Sequence, residues 1–145
     1  PARRGEKSRP LGPKRREPNV KYAINAPAAP DSIGPYSQGT TAGRLVFASG
    51  QLPIDPEHCD RLIAGDAAVQ TERVIQIVQA LLAEADCTLS DVAQTTLYLA
   101  NLDDLDAVNR VYERYFVAPA PARTVVEVSR LPMGALVEMD CVACR

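Results

Sequence analysis

Arg123 is the residue of this sequence best suited to holding a small anion. It follows Pro121-Ala122, which stiffens the approach, and its planar guanidinium matches the two oxygens of a carboxylate. Thr124 to Val128 is rich in β-branched residues, so the arginine stands at the mouth of a strand. Leu131-Pro132-Met133-Gly134 breaks that run, and a second strand resumes from Ala135 to Ala143 with a period of two. Val137, Met139, Cys141 and Ala143 share a wholly apolar face, while Leu136, Glu138, Asp140 and Val142 share the other. Two carboxylates among apolar neighbours make that second face neither plain core nor plain solvent surface. An arginine at a strand mouth, with a carboxylate on the adjoining strand, reads as a candidate small-acid site.

Three further positions carry usable groups. Gly34-Pro35 is a turn signal that presents Tyr36 at the start of the next strand. Ser49-Gly50 ends an expected hairpin; the glycine lets a ligand or another backbone approach, although a simple strand end accounts for it as well. Asn109 lies beside the apolar stripe of a helix, where an amide is usually a satisfied boundary residue.

Cysteine and histidine chemistry is weakly supported. Cys141 and Cys144 have CxxC spacing, but an offset of three on a strand puts them on opposite faces, which argues against joint chelation. The single histidine, His58, sits in a loop next to Cys59, so a zinc site or a Ser-His-Asp triad would have to be built around that loop. No metal is expected.

These groups must be positioned by one domain, to which 145 residues are suited. Lys21 to Asn25, Tyr36 to Thr41 and Arg44 to Ser49 read as strands, the latter two as a hairpin around Ala42-Gly43. Asp66 caps a helix running to about Ala85, with Ala67, Thr71, Val74, Val78, Leu81 or Leu82, and Ala85 as its buried stripe. Asp91 to Ala100 is a strand with Thr95, Leu97 and Leu99 on one face and Val92, Gln94, Thr96 and Tyr98 on the other. A second helix starts near Asp103 as N-cap, with Leu105, Val108, Tyr112 and Tyr115 or Phe116 turned inward. The order β-β-β-α-β-α-β-β gives an α+β fold, one sheet with two helices on one face. The semi-polar second face calls for a subunit interface rather than open water.

Charge is unevenly distributed. Residues 1–19 hold seven Arg/Lys against Glu6 and Glu17, a net +5, which leaves −7 for residues 20–145. The tail lacks the apolar surface to offset chain entropy and is expected to be disordered. An acidic body argues against nucleic-acid binding by the folded part, because phosphate neutralisation dominates such binding. No apolar run approaches the ~18 residues of a membrane span. A secretory leader is not evident either, so a soluble cytoplasmic protein is expected.

PARTVVEVSRLP followed by VEM resembles the C-terminal signature of the RidA/YjgF family of enamine/imine deaminases. The likeness continues in IGPYSQG (33–39), VFASGQLPIDP (46–56) and NLDDLDAVNRVYERYF (101–116), and so covers roughly Lys21 to the C-terminus. The resemblance implies a chorismate-mutase-like homotrimer with three sites at the subunit clefts. It also implies hydrolysis of 2-aminoacrylate and related 2-imino acids to 2-oxo acids and ammonia, without metal or cofactor. By the same resemblance Arg123 clamps the substrate carboxylate and Glu138 holds the attacking water. Tyr36, Ser49, Gly50 and Asn109 match family positions that line the pocket or complete its hydrogen bonds. One departure is Val125, where many members carry cysteine two residues after the motif arginine. Three alternatives stay open: an endoribonuclease that inhibits translation, a non-catalytic small-acid-binding trimer, and a deaminase for aminomuconate-type substrates.

Overall fold

The computed structural model describes residues 20–145, so the expectation of disorder for 1–19 lies outside the described residues. Six strands and two helices follow the expected order: β1 Lys21–Ile24, β2 Gly39–Ala42, β3 Leu45–Gln51, α1 Ala67–Ala83, β4 Val92–Leu99, α2 Leu105–Tyr115, β5 Ala122–Glu127 and β6 Val137–Cys144. The strands form one sheet in the order β1-β2-β3-β6-β4-β5. Only the β4–β5 pair is parallel, as it must be when a helix, here α2, carries the chain back across the sheet.

Both helices cover the same face. Asp66 caps α1 through a 3.0 Å bond from Val69 N, and the helix buries Thr71, Val74, Ile75, Ile77, Val78, Leu81 and Leu82. Against them lie Val46, Leu97, Leu99, Val137, Met139, Cys141 and Ala143, joined by Val108, Tyr112 and Phe116 from and just after α2. The opposite face is half open. Leu45, Phe47 and Val126 keep 43%, 38% and 38% of their surface there, interleaved with Glu138, Asp140, Tyr98 and Gln94. As alternation requires, Cys141 is buried on the helix face and Cys144 is exposed on the other.

Several local expectations are corrected. Strands β5 and β6 are consecutive but not adjoining, because β4 pairs with both and lies between them. Val92 sits in the core at 6% exposure, on the face opposite Gln94. A bulge at Ala93 flips the alternation, so that Val92 meets Ala143 and Gln94 meets Val142. Ser49 and Gly50 do not end β3; they form a second bulge within it, between the Ala48–Cys141 and Gln51–Met139 pairs. Tyr36 precedes the strand instead of opening it, since β2 begins at Gly39. Asn101, not Asp103, caps the second helical segment: its side chain accepts from Asp103 N at 2.9 Å, opening a 3-10 turn that leads into α2.

Candidate active site

Arg123 stands on the edge strand β5 in register with Thr95 of β4, and therefore on the helix-covered face. Helix α2 brings Asn109 and Tyr112 to it from above; a spacing of three puts both on one side of the helix. Arg123 Nη1 donates to Asn109 Oδ1 at 2.8 Å, and the guanidinium carbon lies 4.8 Å from the centroid of the Tyr112 ring. That ring is itself fixed. Its hydroxyl shares a 2.7 Å hydrogen bond with the fully buried Thr95 hydroxyl, and it stacks on Phe116 at 4.3 Å and 27°. Burial pushes the Tyr112 phenol above its ordinary value, against smaller opposing effects of the Thr95 bond and the Arg123 charge, so it stays neutral. Asn109, Tyr112, Glu113, Phe116, Pro121 and Arg123 line a cleft of about 400 Å³. Among the described residues Asn109 is the one hydrogen-bond acceptor on Arg123, which leaves most of its five N–H groups for a ligand.

Glu138 belongs to a different part of the molecule. It is a half-buried carboxylate on the open face of β6, in register with Tyr98. Burial first, and the charge of Asp140 second, push its carboxyl above the usual range. Asp140 accepts a 2.8 Å bond from the Tyr98 hydroxyl, and that bond is the chief cause of the raised Tyr98 phenol. Gly50, in the β3 bulge, lies directly against Glu138: a Cβ at Gly50 would overlap the Glu138 carboxylate. The absent side chain at Gly50 leaves room for the Glu138 carboxylate to lie against the bulge, where a methyl group would make it rotate away.

Ser49 is committed to the main chain. Its Oγ donates to Ser37 O at 2.7 Å and its N donates to Gln38 O at 3.0 Å, so the bulge pins the segment that follows Tyr36. Gln38, which sequence reasoning passed over, completes the anchor. It is buried, accepts from Ala26 N at 2.8 Å and donates to Pro30 O at 2.6 Å. Tyr36 is 52% exposed, its hydroxyl accepts from Ile33 N at 3.2 Å, and with Gly50, Ile33, Leu52, Ile54 and Met133 it lines a cavity of about 390 Å³.

The six candidates thus fall into two groups, Arg123 with Asn109, and Glu138 with Gly50, Ser49 and Tyr36. One chain does not bring the groups together, because Arg123 shares a sheet face with Thr95 and Glu138 shares the other with Tyr98. Tyr112 was legible only as core; its offset of three from Asn109 was the available signal. His58 Nδ1 lies 3.6 Å from Asp55 Oδ2, and no group of three or more potential ligands that could hold a metal ion occurs among the described residues.

A family model described as Endoribonuclease L-PSP matches residues 26–145. The chain belongs to that family. Members similar to it include a RutC family protein of Pyrococcus abyssi, 46% identical over 124 residues, covering 86% of this chain and 97% of the relative. A human relative named 2-iminobutanoate/2-iminopropanoate deaminase is 34% identical over 124 residues, covering 86% of this chain and 90% of its own. Among solved structures, the Rid-family protein YyfA of Yersinia pestis superposes with a TM-score of 0.83 at 38% identity, covering 87% of this chain and all of that one. The RidA-like resemblance of the sequence motifs and the two-helix, six-strand architecture therefore stand together in one family. Among the described residues no helix is long and apolar enough to cross a membrane.

Proposed function

We propose that this protein hydrolyses reactive enamines and imines of 2-amino acids, such as 2-aminoacrylate, to 2-oxo acids and ammonia, in sites shared between the chains of a homotrimer. The observation that carries this reading is the Arg123 cluster. Asn109 takes one N–H, the guanidinium carbon lies 4.8 Å from the Tyr112 ring centroid, and the remaining donors border an open cleft, an arrangement suited to a planar carboxylate. The deaminase name of the human relative is consistent with it.

The chemistry asks for little beyond positioning. Protonation of the terminal carbon of 2-aminoacrylate gives 2-iminopropanoate, whose imine carbon is electrophilic. Water adds to the carbon of the protonated imine as Glu138 accepts a water proton. Glu138 returns that proton to the amino nitrogen, and the carbinolamine expels ammonia while its hydroxyl proton passes to solvent, leaving pyruvate. A carboxylate whose proton affinity is raised by burial is a better base than one in water, and such acid–base help is worth roughly 10²- to 10⁴-fold. Arg123 from one chain and Glu138 with Gly50 and Tyr36 from a neighbour supply the two ends of the site. The half-open second face, with Phe47 and Val126 exposed, is the surface such an assembly covers.

The test is ammonia release from 2-aminoacrylate generated in the cuvette by a pyridoxal-phosphate lyase, read alongside calorimetric binding of 2-oxobutanoate. Ammonia released faster than the spontaneous rate supports the proposal. Oxo-acid binding without acceleration would replace it with a non-catalytic small-acid-binding protein.

A further inference from the structure

We infer that Tyr112 is a positioning residue for the carboxylate clamp: its ring is the shelf that holds the Arg123 guanidinium flat and presents its free edge to the anion. This rests on the reading of Arg123 given above and extends it to a residue that never touches the ligand's reacting atoms. Three observations carry it. The guanidinium carbon stands 4.8 Å from the ring centroid, within the range of a cation–π contact. The ring is held from two further directions, by Thr95 at 2.7 Å through its hydroxyl and by Phe116 at 4.3 Å through its face. Thr95 is also the register partner of Arg123 across β4 and β5, so the strand that aligns the arginine backbone also anchors the shelf under its side chain.

The arrangement answers a physical difficulty. An exposed arginine on an edge strand samples many rotamers, and ordering it on ligand binding costs affinity. A rigid aromatic beneath it and the Asn109 acceptor at its side remove most of that freedom before the ligand arrives. They also shield one guanidinium face from water, which strengthens the contact along the edge. An ordinary core tyrosine at 6% exposure would need only the Thr95 bond and its packing.

The experiment separates ring from hydroxyl and clamp from core. In Tyr112→Leu the shelf is gone, and we expect KM for 2-aminoacrylate and Kd for 2-oxobutanoate to rise together by about five-fold, with kcat within two-fold, the scale of one lost cation–π contact. Tyr112→Phe keeps the ring and loses the Thr95 bond; it should melt at lower temperature yet bind 2-oxobutanoate as wild type does. Tyr112→Met fills the same space without a π face and carries the same expectation as Leu, should the Leu variant fail to assemble. Unchanged 2-oxobutanoate affinity in an assembled Leu or Met variant, with Arg123→Ala weakening binding at least ten-fold, would overturn the shelf and leave the clamp intact. A Phe variant as impaired in binding as Leu would also overturn it, by assigning the effect to the hydroxyl. Failure of the wild-type protein to bind 2-oxobutanoate at all would instead remove the clamp on which the inference rests.

Discussion

Arg123 and Glu138 lie on opposite faces of one sheet, separated by strand β4. Arg123 aligns with Thr95 and, through it, with Cys141 on the helix-covered side; Glu138 aligns with Tyr98 and, through it, with Val126 on the open side. Side-chain reach does not bridge a sheet, so a site that uses both groups takes them from two copies of the chain. In a cyclic assembly the same pair of surfaces recurs at every interface.

This relationship predicts complementation. Under the proposed shared site, Arg123→Ala and Glu138→Gln proteins, each inactive alone, should recover activity when unfolded together in equal amounts and refolded. Random assembly places an intact Arg123 beside an intact Glu138 at about one quarter of sites, so activity near a quarter of wild type is expected. Mass spectrometry confirms exchange. A fully mixed population that stays inactive excludes the shared site.

The parts of this design that were legible in the sequence are those set by local alternation and capping. In β6 every odd residue from Val137 to Ala143 is apolar, and these are the buried ones. The Asp66 cap and the stripe of α1 follow the same logic. What was not legible depends on long-range pairing. Nothing local places β4 between β5 and β6, so a carboxylate that looked adjacent to Arg123 is on the far side. The bulges at Ala93 and Ser49-Gly50 have the same origin, since each exists only relative to its partner strand β6. Tyr112 stayed hidden because an aromatic on an apolar stripe reads as core, which it also is.

The proposed role of Glu138 as base predicts that activity and stability respond to pH in opposite senses. Its carboxyl is raised by burial and by Asp140, and it acts as a base only when ionised, so the acid limb of kcat/KM should lie above the ordinary carboxylate range. Asp140→Asn removes the neighbouring charge and should move that limb to lower pH. For stability, a raised folded-state value means that the proton is bound more tightly by the native form. The contribution of Glu138 is therefore fully present below its unfolded value and lost as pH rises through the folded one. Glu138→Gln should melt no lower than wild type at pH 7 and show less loss of stability between pH 4 and 7. An acid limb in Asp140→Asn that does not move would remove Asp140 from the electrostatics of the site.

Gly50 matters through the space it leaves for Glu138 and not through backbone freedom. In Gly50→Ala the new methyl group meets the Glu138 carboxylate, which must swing away from the bulge. Turnover should fall by about ten-fold or more, the low end of what a displaced base costs, while size-exclusion chromatography still shows the assembled protein. Wild-type kcat in this variant would mean that Glu138 need not sit against the bulge to work.

Arg123 tests geometry against charge. Arg123→Ala removes a charge-assisted contact worth about 1.5–3 kcal/mol, so 2-oxobutanoate affinity should fall by roughly ten- to a hundred-fold and turnover nearly vanish. Arg123→Lys keeps a positive charge but has neither the planar fork that pairs with two carboxylate oxygens nor a flat face to lie on Tyr112. A clamp therefore predicts that lysine is nearly as impaired as alanine, whereas a merely electropositive cleft predicts that it is close to wild type. Both variants should assemble, since Arg123 is exposed and its hydrogen-bond partner Asn109 is only half-buried. The decisive comparison is calorimetric affinity for 2-oxobutanoate across the three proteins, each shown to be assembled. A lysine variant that binds like wild type would retain the cationic cleft but eliminate the bidentate clamp, and with it the reason for a shelf beneath the guanidinium.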